Sequence, residues 1–207
     1  MTQKELTAYN IGQNLDDLAN LDPRGYGVCR ILYDAARRYT GEPLSMHAAK
    51  LLCETVKEND LVYLMTGFVL LDNKAAETDG IVSTMLLARA LVLAFGAKPV
   101  VICQHENLPA VEALSRVVGL HLYTSIEDLR ANPVSMAVFP FTKDKAEAEP
   151  QADALLEQGL PAAVVAIECP GENSIGEAHN SVGKRTTPLA TKSDVLFQKM
   201  HREVVLK

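Results

Sequence analysis

An α/β fold is expected: a three-layer α/β/α domain with a mostly parallel sheet, preceded by an N-terminal helical segment. Three observations carry it. Over residues 44–56, Leu44, His47, Ala48, Leu51, Leu52, Thr55 and Val56 fall on one face of a 3.6-residue period. From residue 60 the period changes, and short apolar runs rich in β-formers alternate with helical stretches. Those runs are apolar at consecutive positions, which suits strands covered on both faces by helices. Together they describe a Rossmann-like sheet.

Element by element, Leu6, Ile11, Leu15 and Leu18 predict a first helix ending near "DPRGYG", and a second covers about 24–38 before "TGEP". The third is the 44–56 helix, with Lys50, Glu54 and Lys57 on its polar side. The core then runs strand 60–66, helix 81–95, strand 98–103, and a helix carrying Leu108, Val111, Leu114 and Val117. Strand 120–124, a short helix near 125–131, strand 134–141, a helix around 143–158 and strand 162–168 complete it. No internal repeat and no low-complexity linker interrupts the chain. Residues 1–207 are expected to form one domain, with N-terminal helices over 1–58 and the α/β core over 59–207.

Composition narrows the function. A formal charge of −6 and a pI near 5.4 argue against a broad nucleic-acid surface, which draws its affinity from clustered Lys and Arg. Small ligands or proteins are the expected partners. Cys29, Cys53, Cys103 and Cys169 are far apart with no CxxC pair, so reduced thiols are expected, with Cys53 and Cys103 buried. The N-terminus has no basic-then-apolar signal layout, and the longest apolar run, "MLLARALVLAFGA", is interrupted by Arg89 and too short to span a bilayer. A soluble cytoplasmic protein without a membrane partner is expected.

In open parallel sheets, ligands bind beyond the carboxyl ends of the strands. The groups there are Thr66, Gly67 and Phe68, followed by Glu77-Thr78-Asp79-Gly80; then Gln104, His105 and Glu106; then Pro140, Phe141 and Thr142. Last come Glu168, Cys169, Pro170, Gly171, Glu172 and Asn173, with His179 and Asn180 in the following Gly/Asn/Ser-rich segment. "ETDG" has two readings: Thr78 or Asp79 is a helix N-cap, or the helix start is an anion site with Glu77 and Asp79 as acid/base groups or ammonium ligands. A Glu168 buried at a strand end would have a raised pKa suited to a general acid; the plainer reading is a partly solvated Glu bonded to loop amides. His47, on the apolar helix face, reads as a core histidine, His179 as a surface histidine or a catalyst, and Gln104 as a cap for the next helix.

Three motifs fail. "RGYGVCR" has Arg30 where a dinucleotide fingerprint needs its third glycine, and no strand precedes it. "GEAHNSVGKRT" has the wrong glycine spacing for a P-loop and Arg185 after its lysine. No His/Cys set has metal-ligand spacing, although Glu77, Asp79 and Glu168 can hold a hard divalent ion if they meet.

"TGF" after a strand, "ETDG" opening an "LARAL" helix, a "KPVV" strand, and "VVAIECPG" before an Asn/Gly-rich loop occur in that order. Over about residues 44–197 this set resembles the C-terminal domain of D-glutamate cyclase and its bacterial relatives. The resemblance implies a lyase converting D-glutamate, or a related acidic amino acid, to 5-oxo-D-proline and water; its alternative is a non-catalytic small-molecule-binding or subunit-type relative. Chemistry and position then assign Glu77 and Asp79 to amine binding or deprotonation and Glu168 to the acid role or ion binding. Thr66, Gly67, Phe68, Thr78, Gly80, Gly171, Asn173 and His179 are the expected substrate-binding residues, with amides around Gly80 holding a substrate carboxylate. No cofactor is expected beyond magnesium or manganese on Glu77, Asp79 and Glu168. Three features depart from the family pattern. Ile81-Val82-Ser83-Thr84 replace a Pro-Pro-Gly-Ala turn, Cys169 stands where an Arg is usual, and relatives extend past the "KSDVLFQ" region into another strand. A homo-oligomer, or a partner chain supplying that C-terminal segment, is the expectation that follows.

Overall fold

The structure, a computed structural model, describes residues 1–72 and 74–205, with side chains through Met200. It divides into two compact units, Met1–Thr55 and Val56–Lys207.

The first unit holds α1 (Gln3–Ala19), α2 (Val28–Thr40) and α3 (Leu44–Thr55). A reciprocal cap starts α1: Thr2 Oγ1 accepts the Glu5 N–H at 3.3 Å, and the Glu5 carboxylate accepts the Thr2 N–H at 2.7 Å. The expected leucine stripe is not the packed face, because Leu6, Ile11, Leu15 and Leu18 are exposed and the buried residues of α1 are Gly12 and Asp16. A Cβ on Gly12 would lie 2.7 Å from Met46 Cβ, so α1 approaches α3 through the missing side chain. Asp16 accepts the Leu44 N–H at 2.6 Å, the Ser45 N–H at 3.0 Å and the Ser45 hydroxyl at 2.6 Å, satisfying amides that open α3. It also accepts the Tyr33 hydroxyl at 3.0 Å, which ties in α2. Burial pushes the Asp16 carboxyl up, but these bonds outweigh it and hold its pKa below the ordinary value.

This seam fixes which face of α3 is inside. Met46 is buried, while Leu51 is exposed and His47, expected in the core, is partly exposed with Nδ1 2.8 Å from Glu42 Oε1. Cys53, also expected to be buried, is exposed.

The second unit alternates strands and helices. In order they are β1 (Leu61–Thr66), α4 (Thr78–Phe95), β2 (Lys98–Cys103), α5 (Leu108–Val117), β3 (His121–Tyr123) and α6 (Ile126–Ala131). Then come β4 (Ser135–Pro140), α7 (Lys145–Glu157), β5 (Ala163–Ile167) and α8 (Asp194–Val205). The strands form one parallel sheet in the order β3-β4-β2-β1-β5. Every residue of β1 and β2 is buried, which accounts for their unbroken apolar runs. Leu61, Tyr63 and Met65 pack with Leu129 of α6, Leu155 of α7 and Leu196 of α8. The alternate residues Val62 and Leu64 face the other layer, where α4 buries Ile81, Met85, Ala88 and Leu91. Each large side chain so buried contributes roughly 1.5–3 kcal/mol. The buried Tyr63 hydroxyl donates to the carbonyls of Leu155 and Gly159, and burial pushes its pKa up to about 12.

The apolar run read as too short to span a bilayer lies within α4, which by length and composition alone could cross one. Its buried face packs on the sheet. β5 differs from the inner strands: it is a sheet edge, and each of its five residues keeps partial or full exposure.

Right-handed crossovers send the connections from β1 through β3 to one face of the sheet and those from β3 through β5 to the other. The connections leaving β2 and β4, neighbours in the sheet, therefore go to opposite faces, and the ends of β1 and β5 lie side by side on the same carboxyl-end rim.

Candidate functional site

The loops leaving β1 and β5 are laced together at this rim. Glu168 follows the last residue of β5, one position beyond the end of the strand instead of closing it, in the left-handed region at φ 45°. Its carbonyl accepts the Gly67 N–H at 3.1 Å and the Phe68 N–H at 2.6 Å. Glu168 thus binds loop amides through its backbone and leaves its carboxyl to other work. Gly67, at φ 128°, has no room for a side chain: a Cβ would lie 2.4 Å from Gln104 Oε1. From Phe68 the chain turns out and returns through a Val69–Ala76 bridge, and the Glu77 N–H donates to the Phe68 carbonyl at 2.9 Å.

Glu77 occupies the N-cap position of α4 with no capping bond from its side chain, so neither Thr78 nor Asp79 is the cap. Asp79 Oδ1 instead accepts the Gly80 N–H at 2.9 Å. That amide is therefore already engaged, against the expectation that it holds a ligand carboxylate. A Cβ on Gly80 would lie 2.6 Å from Glu168 Cβ and 3.1 Å from Thr66 Oγ1. The polar start of this buried helix thus has a steric reason: α4 meets the end of β5 through a glycine, with carboxylates flanking the contact. Thr66 Oγ1 is buried there with no hydrogen-bond partner among the described residues.

Glu168 as a residue is exposed. Partial burial first, then the negative charges of Asp79 and Glu77, push its pKa above the ordinary 4.5. Of the three carboxyls expected to act together, Glu168 thus feels the charges of the other two. Among the described residues no group of three or more His, Cys, Asp or Glu side chains forms a metal-binding set, so the trio is not a preformed ligand sphere.

Of the other expected residues, Thr78 stands between Glu77 and Asp79 in the first turn of α4 and is exposed, as is Gly171. Asn173 and His179 belong to a loop with its own bonds: Asn173 Oδ1 accepts the Ile175 and Glu177 N–H groups, and His179 Nε2 lies 3.7 Å from Glu177. Among the described residues no hydrogen bond or ion pair joins Asn173 or His179 to Glu77, Asp79 or Glu168. That loop contains a short tandem repeat that the reading of an unrepeated chain overlooks. Asn-Ser-Ile-Gly-Glu at 173–177 and Asn-Ser-Val-Gly-Lys at 180–184 form the same turn, with Asn180 Oδ1 accepting the Val182 and Lys184 N–H groups. A buried ion pair anchors the segment, Lys192 Nζ to Glu172 Oε1 at 2.7 Å.

Gln104, expected to cap a helix, makes no capping bond. Its buried amide donates to the Leu189 carbonyl at 3.1 Å and accepts from Asn107 Nδ2 at 2.6 Å. Beside it lies a cavity of about 150 Å³ whose walls include Val69, Ala76, Gln104 and Asn107. Lys74, Lys143 and Glu106 bring charge to it, with Lys143 Nζ 2.6 Å from Glu106 Oε1. Lys143 escapes the strand-end reading by one residue, since that reading stops at Thr142 after β4.

The family described as D-glutamate cyclase-like, C-terminal, has a model that matches residues 15–205. No curated protein matches the chain.

Proposed function

The chain belongs to the D-glutamate cyclase-like, C-terminal family, and on that basis we propose that it is a lyase closing D-glutamate, or a related acidic amino acid, to 5-oxo-D-proline and water. The observation that supports this most is the Glu168 carboxyl, raised in pKa and seated against the first turn of α4 beside Glu77 and Asp79. Glu77 or Asp79 holds the substrate ammonium and takes a proton from it. The freed amine attacks the carbonyl carbon of the γ-carboxyl group, the C–N bond forms, and Glu168 protonates the departing oxygen as the C–O bond breaks. Over a turnover, the two protons lost by the ammonium leave on the carboxylate oxygen as water, and the carboxyls return to their starting states. Holding the chain folded supplies much of the rate, because effective molarities for oriented intramolecular attack are on the order of 10⁵–10⁸ M.

The mechanism runs on protein groups alone, and magnesium or manganese enters as a variable of the assay. The ligand is a small acidic amino acid. No disulfide joins the four cysteines, which supports a reducing, cytoplasmic setting. The free edge of β5 supports self-association as a homo-oligomer.

One observation favours the second reading, a binding subunit without turnover. Cys169 is a half-buried thiol, raised in pKa by burial, with Sγ 3.3 Å from Ser193 Oγ, so the position next to Glu168 supplies no positive charge. Glu77→Gln and Glu168→Gln separate the readings. Each should slow 5-oxoproline formation by about 10²-fold or more, and undiminished turnover in both contradicts the assigned roles.

A further inference from the structure

A dicarboxylate amino acid presents one ammonium and two carboxylates, and the carboxyl trio can receive only the first. Gly67 links the two places: its N–H is held by the Glu168 backbone carbonyl, and a Cβ on it would lie 2.4 Å from Oε1 of Gln104, which lines the cavity. The cavity has the opposite polarity. Lys74 and Lys143 face it against the single carboxylate of Glu106, leaving one net positive charge, and Lys74 makes no ion pair among the described residues. Its floor is made by Gln104 and Asn107, both buried, whose amides bond each other and so are fixed in orientation. At about 150 Å³ it holds a small polar group and excludes a large one.

We propose that this cavity is the carboxylate receptor of the site, with Lys143 and Lys74 binding one carboxylate of an acidic amino acid whose ammonium lies at Glu77, Asp79 and Glu168. The inference rests on the reading of that trio as an ammonium site. Glu106 acts as a resident stand-in: its carboxylate occupies Lys143 at 2.6 Å in the structure, and an arriving ligand carboxylate competes with it.

The test uses glutarate, a dicarboxylate with no amine and no route to product, titrated into the full chain by calorimetry, beside D-glutamate turnover. Lys143→Met should weaken glutarate binding about tenfold or more, the scale of a lost charge-assisted hydrogen bond. Glu106→Gln should tighten it, since the competitor for Lys143 is gone, and a purely structural ion pair would instead make both variants weaker. Lys143→Met should also raise KM for D-glutamate more than it lowers kcat. Absent glutarate binding in the wild type, or loss of binding in both variants, overturns the receptor. The outcome is separable from the lyase reading: lysine-dependent glutarate binding without any product keeps the receptor and removes the lyase, while product formation with KM unchanged in Lys143→Met does the reverse.

Discussion

Gly80 sets how closely α4 can come to the end of β5. In an ordinary helix interior, Gly→Ala stabilises by about 0.5–1 kcal/mol. Here the new Cβ would meet Glu168 Cβ at 2.6 Å, and overpacking of that kind costs about 1–3 kcal/mol. The clash wins, so Gly80→Ala should lower the unfolding midpoint in denaturant; an unchanged or higher midpoint contradicts the contact. Glu168 separates backbone from chemistry, because its φ of 45° suits Asn better than Glu. Glu168→Asn should keep or slightly raise thermal stability while turnover is lost. The pKa direction also has a sign. Between the ordinary 4.5 and the raised native value, the native state holds more protons at Glu168 than the unfolded chain, so this group's effect on stability worsens as pH rises through that window. Glu106 and Glu172, lowered by Lys143 and Lys192, do the opposite: their stabilisation is full above 4.5 and is lost as pH falls through their native values. Removing the Asp79 charge should bring the Glu168 titration to lower pH, read by carboxyl-carbon NMR of Asp79→Asn, and an unmoved titration argues against their coupling.

At the scale of elements, α3 starts on the carboxylate of another helix. Asp16→Ala leaves the Leu44 and Ser45 amides without their acceptor, a loss of about 1–3 kcal/mol, and hydrogen exchange at those two amides should accelerate while amides of β1 and β2 stay protected. This seam is also where the sequence is least legible. The leucines of α1 have helical spacing, but spacing cannot say that Gly12 and Asp16 form the packed face, because a missing side chain and a capping carboxylate carry no hydrophobic signal. β1, β2 and β4 are legible for the opposite reason: apolar residues buried on both faces leave an unbroken run, and the structure places these strands within one residue of the expected bounds. "ETDG" is legible as a strand-end and helix-start motif. The steric demand on Gly80 is not, since it arises from Glu168, far away in the chain. Lys143 and Lys74 carry no pattern at all; only the fold brings them to one cavity.

For the whole molecule, the sheet has a well-covered interior and two edges, the three-residue β3 and the longer β5. β5 presents Ala163-Val164-Val165-Ala166-Ile167 with no charge to deter pairing, and an antiparallel copy centred on Val165 would match apolar residues with themselves. The light-scattering mass should rise with concentration, and Val165→Lys should hold it at that of one chain. A wild-type mass that stays monomeric across the range contradicts association at this edge. The proposed function turns on the carboxyl trio near the ends of β1 and β5. Proton NMR of the purified chain with D-glutamate, and separately with L-glutamate, each with and without magnesium or manganese, tests it most directly. The account predicts 5-oxoproline from D-glutamate well above the spontaneous rate; a folded protein that forms none under any of these conditions contradicts it.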